Sequence, residues 1–242
     1  MKTAISKTPE PIHLPAAVYD LAIRLGADPN SRMKTIRLTQ SGRMKTKLES
    51  TSFMAFTATQ TIAIRTCAFD WLAHFSPFGI LSARDALADG QGRLDIKAFG
   101  LFPLARAEHS VALLRGELMR YLAEIPWAPD AILHNRELAW RTDGPDTIIV
   151  TAGLGDAKSE VTLSLNGDGR IETVFAADRP RSATKPFLPT PWRGRFSDYR
   201  QQGNVCLPYS GEVGWEIDGI ENVYWRGDIK SWEAIPETSI GL

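Results

Sequence analysis

The stretch VALLRGELMRYLAEI, residues 111–125, decides how this 242-residue sequence folds, because it is the longest stretch whose apolar residues recur at helical spacing. At about 100° per residue, these residues fall on one stripe of a helical wheel. The stripe consists of Val111, Leu114, Leu118, Leu122 and Ile125. Pro126 follows and cannot continue a helix. We therefore predict one amphipathic helix over Val111–Ile125.

On both sides of this helix the sequence follows the two-residue period of β-strands. Short polar links such as Asn166-Gly167-Asp168-Gly169 are typical of hairpins between such strands. The predicted strands cover Lys34–Leu48, Phe56–Thr66, Cys67–Phe75, Ile80–Ala88, Arg93–Leu101, Thr147–Thr151, Lys158–Leu165, Arg170–Ala177, Trp192–Arg200, Val205–Ile217 and Val223–Trp232. A shorter helix is predicted over Ala16–Leu25.

A curved antiparallel sheet has to cover its apolar face, and this sequence offers one long helix that can do so. We therefore predict a mainly β (α+β) fold, an open half-barrel wrapped over one central amphipathic helix. The order of elements resembles the lipoprotein-carrier-like half-barrel. The length and the lack of a convincing linker favour a flexible N-terminal arm at 1–14 and a single domain at 15–242. The segment Arg179–Pro191, with four prolines, is predicted to be a surface loop or lid.

Composition excludes some classes of partner. Lysine and arginine together number 28, as do aspartate and glutamate, so the formal net charge is zero. A protein that binds nucleic acid by neutralising phosphates needs an excess of basic residues, so we expect no nucleic-acid partner. No apolar run approaches the ~20 residues of a membrane span, so we expect no membrane insertion. Residues 1–10 lack the apolar segment of a secretory signal, which predicts a cytoplasmic protein.

No spacing of histidine, cysteine, aspartate and glutamate matches a metal site. Neither a Gly-x-Ser-x-Gly elbow nor a Gly-x-Gly-x-x-Gly loop is present. We therefore expect no metal and no cofactor. Cys67 and Cys206 are expected to be reduced thiols, although the sequence also allows a disulfide between them.

Polar residues flank the apolar stripe of the long helix. The wheel places Arg115 at one edge of the stripe and Tyr121 at the other, with Glu117 and Glu124 beyond Tyr121. A buried charge needs a partner or a ligand. Asp85 shares a strand face with apolar residues and is one candidate partner. Arg115 therefore forms a structural ion pair with Asp85 or extends to water, or else Arg115 or Tyr121 contacts a ligand inside the half-barrel.

A second polar cluster lies within Trp192–Arg200. Strand alternation places Arg195 and Tyr199 on one face and Asp198 on the other. One interpretation is a charge ladder on the sheet exterior. The other places Arg195 and Tyr199 at the rim of a cavity, as anion stabiliser and as acid or base, since a nearby guanidinium lowers the pKa of a tyrosine.

Seven tryptophans are many for this length. Trp71, Trp140, Trp215 and Trp225 lie on strand faces that predict core positions. If they also line a cavity, that cavity would suit a flat aromatic ligand.

Several sequence blocks resemble those of an uncharacterised bacterial domain-of-unknown-function family, over roughly Met33–Glu233. The blocks are Arg115-Gly116-Glu117-Leu118, Tyr121-Leu122-Ala123-Glu124, Trp127 with Pro129, Gly194 through Arg200, Gly211-Glu212-Val213 with Trp215, and Tyr224-Trp225-Arg226. The resemblance carries no established reaction. It implies that one set of residues belongs to a shared site or framework: Arg115, Glu117, Tyr121, Glu124, Arg195, Asp198 and Tyr199.

Three functions follow from these observations. The first is a cofactor-independent enzyme that acts by acid/base elimination or C–C cleavage on a hydrophobic, phenolic molecule, a lyase with isomerase or cyclase as variants. The second is a non-catalytic carrier or sensor of an apolar ligand, and the third is a structural domain. The sequence is also compatible with a homo-oligomer. The enzyme would use Arg115, Glu117, Tyr121, Arg195 and Tyr199 as catalytic residues, with Asp85, Glu124, Asp198, Trp71, Trp215 and Trp225 binding substrate.

Overall fold

The computed structural model describes residues 14–76, 79–98, 102–107, 109–181 and 187–237, without the side chains of Pro103 and Arg106. Strands dominate this part of the chain. In chain order the elements are α1 Ala16–Arg24, β1 Met33–Met44, β2 Met54–Ala63, β3 Phe69–Phe75, β4 Leu81–Ala88, β5 Gln91–Ala98, β6 Phe102–Arg106, α2 Val111–Ala123, α3 Asp130–His134, β7 Ala139–Thr142, β8 Thr147–Ala152, β9 Ser159–Leu165, β10 Ile171–Arg181, β11 Leu188–Gln202, β12 Val205–Ile217 and β13 Ile220–Pro236.

The strands form one antiparallel sheet of two meanders. Its strand order is β6-β5-β4-β3-β2-β1-β13-β12-β11-β10-β9-β8-β7. Each meander runs through neighbouring strands, and the two halves join where β1 pairs with β13. The two edge strands, β6 and β7, are consecutive in the chain, so the segment that contains α2 has to cross the whole curled sheet. This arrangement confirms the predicted mainly β half-barrel.

Helix α2 closes the open side of this half-barrel. It packs against β4 and β5 from one meander and against β8, β9 and β10 from the other. The Ser110 hydroxyl caps its first turn by accepting a hydrogen bond from the Leu113 amide at 3.1 Å. Leu118 and Leu122 are buried as the apolar stripe predicts, whereas Val111 is 50% exposed. The helix ends at Ala123, two residues earlier than predicted, and a 3-10 turn at Ile125–Trp127 follows.

A row of glycines runs across the centre of the sheet. Gly42 pairs with Gly227, and Gly227 pairs with Gly211 on the next strand. A Cβ atom on Gly227 would lie only 2.5 Å from the Trp225 ring. The bare backbone therefore lets the Trp225 ring lie against the sheet, where it stacks on Phe56 with ring centroids 6.0 Å apart.

The structure corrects some predicted boundaries. The segment Arg179–Pro191 is not a loop throughout, because β10 continues to Arg181 and β11 begins at Leu188. Strands β6 and β7 have no counterpart among the predicted elements. Residues 1–13 of the predicted N-terminal arm lie outside the described residues, and the division into an arm and one domain stays a prediction. Cys67 and Cys206 are both buried and unpaired.

Replacing Leu122 with alanine is expected to destabilise the protein by about 3 kcal/mol, because its side chain is fully buried in the core between helix and sheet. The free energy of unfolding from urea denaturation measures the effect. Val111→Ala is the matched control on the exposed side of the same helix and should change stability by less than about 0.5 kcal/mol. Equal losses in the two variants would contradict the position of α2.

Candidate functional site

A cavity of about 210 Å³ lies between α2 and the sheet. Aromatic rings form much of its wall: Trp71, Trp127, Trp192, Phe196, Tyr224 and Trp225. The cavity adjoins a wider surface groove, with which it shares Arg195, Phe196, Gly211 and Glu212. An apolar cavity with a few fixed polar groups is the usual form of a small-molecule site.

One wall carries a chain of hydrogen bonds between buried side chains. The Trp71 indole donates to Gln40 Oε1 at 2.9 Å, Gln40 Nε2 donates to Gln60 Oε1 at 3.0 Å, and Gln60 Nε2 donates to Glu124 Oε2 at 2.5 Å. An indole can only donate and an ionised carboxylate can only accept. These two ends therefore fix the orientation of both glutamine amides between them.

Arg120 continues this chain from the helix to the sheet. Its Nε donates to Glu124 Oε1 at 2.9 Å, and its Nη1 donates to Asp85 Oδ2 at 2.5 Å. The guanidinium also stacks over the rings of Phe69 and Trp71, at 4.8 and 5.1 Å from their centroids. Two carboxylates and two aromatic faces compensate for the water that this largely buried cation loses.

Glu117 lies behind Asp85 and is 4% exposed. Burial raises the pKa of Glu117 well above its ordinary value, and the nearby charge of Asp85 raises it further. Asp85 Oδ1 and Glu117 Oε2 have no hydrogen-bond partner among the described residues when both carboxyls are ionised. One proton on Glu117, donated to Asp85, removes both deficits, so we assign Glu117 as the neutral acid of the pair.

A second buried cation, Arg179, lines the opposite part of the cavity wall. Its guanidinium stacks on Trp192 at 4.6 Å and on Trp215 at 5.5 Å from the ring centroids. Nε donates to the Gly116 carbonyl at 3.2 Å, and Nη1 donates to the Tyr224 hydroxyl at 3.4 Å. The cavity therefore has an ion-pair cluster on one side and an arginine held by rings on the other.

Five of the residues predicted from the sequence reach this cavity. Asp85, Glu124, Trp71 and Trp225 line it, and Arg195 lies at its rim with a side chain that is 41% exposed. Arg195 is not free there, because it pairs with Glu221 and with Glu212. The structure thus brings these five together, while their roles in binding or catalysis stay predictions.

The prediction that Asp85 and Arg115 form an ion pair is wrong. Arg115 Nη2 binds Asp178 Oδ2 at 2.6 Å, and its Nε donates to the Lys158 carbonyl, outside the cavity. Asp85 instead pairs with Arg120, which lies five residues further along the same helix. A wheel shows which residues border the stripe, but it does not show which strand each edge meets.

The two predicted tyrosines also lie outside the cavity. The Tyr121 hydroxyl donates to the Ala63 carbonyl at 2.9 Å and accepts from Asn135 at 2.8 Å. The Tyr199 hydroxyl donates to the Ile171 carbonyl at 2.6 Å. Burial raises the pKa of Tyr199 and outweighs the nearby charge of Arg170, so the lowered pKa expected for this tyrosine is wrong. Burial likewise raises the pKa of Tyr121.

The prediction that side chains of β11 alternate strictly between the two faces of the sheet is wrong near Asp198. Buried residues alternate as far as Phe196, and the pattern then shifts by one residue, so Tyr199 packs against the core while Arg195 reaches outward. Asp198, with φ 54°, marks this shift. Its carboxylate is exposed and pairs with Arg200. Trp215 stacks on Tyr224 with centroids 6.1 Å apart, behind the cavity wall.

Residues 4–227 match a family of unknown function, DUF6544. The chain belongs to this family. The match covers most of the chain and confirms the predicted resemblance to a domain-of-unknown-function family. It assigns no reaction and no ligand, and no curated protein matches the sequence.

Two solved structures are similar to this chain. A LolA superfamily protein from Nitrosomonas europaea has 8% identity and a TM-score of 0.49, with 91% of this chain and 94% of that chain covered. A DUF1329 family protein from Desulfovibrio piger has 12% identity and a TM-score of 0.49, with 93% of each chain covered. At these values neither protein carries an argument about ligand or activity.

Residues that the sequence patterns missed dominate the site. Gln40 and Gln60 lie between apolar residues on the inward faces of β1 and β2, and Arg120 precedes Glu124 by four residues. These signals could have identified them. Nothing in the sequence indicates that Arg179 or Tyr224 faces inward.

Within the described ranges, no group of three or more histidine, cysteine, aspartate or glutamate side chains could hold a metal ion. In the same ranges, no helix is long and apolar enough to cross a membrane.

The stability of the protein is expected to fall as pH rises above about 5, because Glu117 holds its proton more tightly in the folded state than in the unfolded chain. Its contribution is complete below its ordinary pKa of 4.5 and is lost as pH rises through its folded pKa. One such proton gives a slope of about −1.4 kcal/mol per pH unit between these two values. Glu117→Gln should abolish this part of the slope.

Urea denaturation at several pH values measures these slopes. Glu172→Gln, which replaces an exposed glutamate, is the control and should keep the wild-type slope. If Glu117→Gln and the wild type show the same dependence on pH, Glu117 is not the buried neutral acid.

Proposed function

We propose that this protein binds a small apolar, aromatic molecule in the cavity between α2 and the sheet, as a carrier or sensor. The observation that supports this proposal is a 210 Å³ cavity walled by aromatic rings, with polar groups held in place by one another. An engineered apolar cavity of roughly 150 Å³ binds benzene. The space here thus suits a molecule with one aromatic ring and a short substituent.

The positions of the charged groups favour binding over the expected lyase chemistry. In the expected reaction, Tyr199 or Glu117 would remove a proton, and Arg195 or Arg115 would stabilise the resulting oxyanion. Tyr199 and Arg115 bind main-chain and surface groups outside the cavity, and Arg195 is paired with glutamates at its rim. A cavity whose charged groups are held in place in advance can bind a ligand without rearrangement. A cytoplasmic location stays a prediction.

Neutral aromatic probes are expected to bind wild-type protein at one site. Phenol and 4-methylphenol are suitable probes, with isothermal titration calorimetry as the measurement. Ala83→Leu places three further carbon atoms in the cavity wall and should weaken binding by about tenfold or more.

The control is Ala55→Leu, which adds the same atoms at an exposed position of β2. This variant should bind as the wild type does, and circular dichroism checks that both variants fold. If no probe binds, or if Ala83→Leu and Ala55→Leu bind equally well, the cavity is not the ligand site.

A second candidate function is the acid/base cleavage expected from the sequence, carried by a different residue. The Asp85 carboxylate reaches the cavity, with Glu117 behind it and the Arg120 guanidinium beside it. A substrate hydroxyl could pass its proton to Asp85 while the adjacent C–C bond breaks to release an aldehyde. The electron pair left on carbon, stabilised near Arg120, would then recover that proton from Asp85.

Aldehyde release from a lignin-type phenolic 1,3-diol tests this second function. Asp85→Asn should lower the rate by about a hundredfold or more, whereas Asp156→Asn, at an exposed position, should not change it. An equal loss in Tyr199→Phe would contradict the placement of the chemistry at Asp85. Recovery of the diol unchanged would leave binding as the function of the cavity.

A further inference from the structure

Arg179 is a buried cation without a counter-ion among the described residues. Its side chain is 8% exposed, and no carboxylate in the described part of the chain lies within ion-pair distance of it. Glu117 is close enough for Arg179 to influence its pKa, but burial keeps that carboxyl neutral. Arg120, by contrast, has two carboxylates of its own. An isolated buried charge is costly, so a protein that keeps one usually supplies its partner from a ligand.

A β-bulge aims Arg179 into the cavity. The register between β10 and β11 shifts between Ala176 and Arg179, and Ala177 and Asp178 are both exposed. Without the extra residue, strict alternation would put Asp178 on the inner face and Arg179 outside. Bulges of this kind commonly redirect a side chain beside a functional site.

A second bulge brings Tyr224 to the same point. The register between β12 and β13 shifts between Val213 and Gly214, which leaves Tyr224 as the extra residue of β13. Its hydroxyl accepts from Arg179 Nη1 at 3.4 Å and from the Trp192 indole at 3.2 Å. A tyrosine hydroxyl has one hydrogen to donate, and no described residue accepts it.

The unused groups at this point are all donors. A guanidinium has five N–H groups, of which Arg179 uses one toward Gly116 and one toward Tyr224. Contacts with the rings of Trp192 and Trp215, together with the two hydrogen bonds, restrict the orientation of the guanidinium. A planar fork of donors beside a hydroxyl donor matches the two oxygens of a carboxylate.

We propose that the cavity binds a small aromatic carboxylic acid as its anion, with the carboxylate on Arg179 and Tyr224 and the ring among the aromatic side chains of the wall. This inference rests on the proposed binding function and specifies the chemical class of the ligand. The volume of about 210 Å³ accommodates one ring with its carboxylate.

Benzoate and its neutral isostere benzamide, each titrated at about pH 7, test the proposal by calorimetry. Wild-type protein should bind benzoate at least about tenfold more tightly, since hydrogen bonds to a charged group contribute about 1.5–3 kcal/mol. Arg179→Met should remove this preference while benzamide binding stays within about threefold. Arg193→Met is the matched control, because Arg193 also stacks on an aromatic ring, that of Phe175, but does not line the cavity.

Tyr224→Phe provides a second variant in case Arg179→Met fails to fold, and it should lower the preference by about fivefold. If benzamide binds wild type as tightly as benzoate, or if Arg179→Met or Tyr224→Phe keeps the full preference, the carboxylate assignment is overturned while binding in the cavity stands. If neither probe binds up to about 10 mM, the carboxylate assignment fails, and the titration with the neutral aromatic probes decides whether binding in the cavity fails with it.

Discussion

The structure depends on one constraint: a sheet that curls without closing has to cover its concave face with whatever chain connects its two edges. Here the connection between β6 and β7 carries the only long amphipathic helix in the described part of the chain. Because α2 packs on strands from both meanders, it holds the curl of the sheet as well as filling it. The helix is too narrow to fill the whole concavity, and the space beside it becomes the cavity.

The charged groups around Arg120 stabilise one another as a connected set. Arg120 joins Glu124 on the helix to Asp85 on β4, and two glutamines extend the chain as far as Trp71. Removing any one member leaves a buried donor or acceptor without a partner, which costs more than the bond itself contributes. The network therefore fixes how the helix sits on the sheet and gives the cavity one wall of defined polarity.

The opposite wall is built by departures from regular strand geometry. Regular strands alternate strictly, so a side chain changes faces only where a residue is inserted. Two insertions, in β10 and β13, turn Arg179 and Tyr224 toward the same point. Arg179, which has no counter-ion in the described part of the chain, contrasts with the paired Arg120. This difference between the two walls would orient a ligand that has one apolar and one anionic end.

The sequence alone determined the long helix that begins at Val111, the hairpin succession and hence the half-barrel, because periodicity and turn residues act over a few neighbouring positions. The sequence blocks also led to the family. Arg115 and Arg120 show why the site was harder to predict: both lie on α2, but only contact with β4 decides which of them meets Asp85. Tyr121 and Tyr199 were assigned to catalysis, yet each hydroxyl binds a carbonyl that is distant in the chain. Arg179 and Tyr224 face inward only because of register shifts between paired strands, so tertiary pairing, rather than any local pattern, placed them at the site.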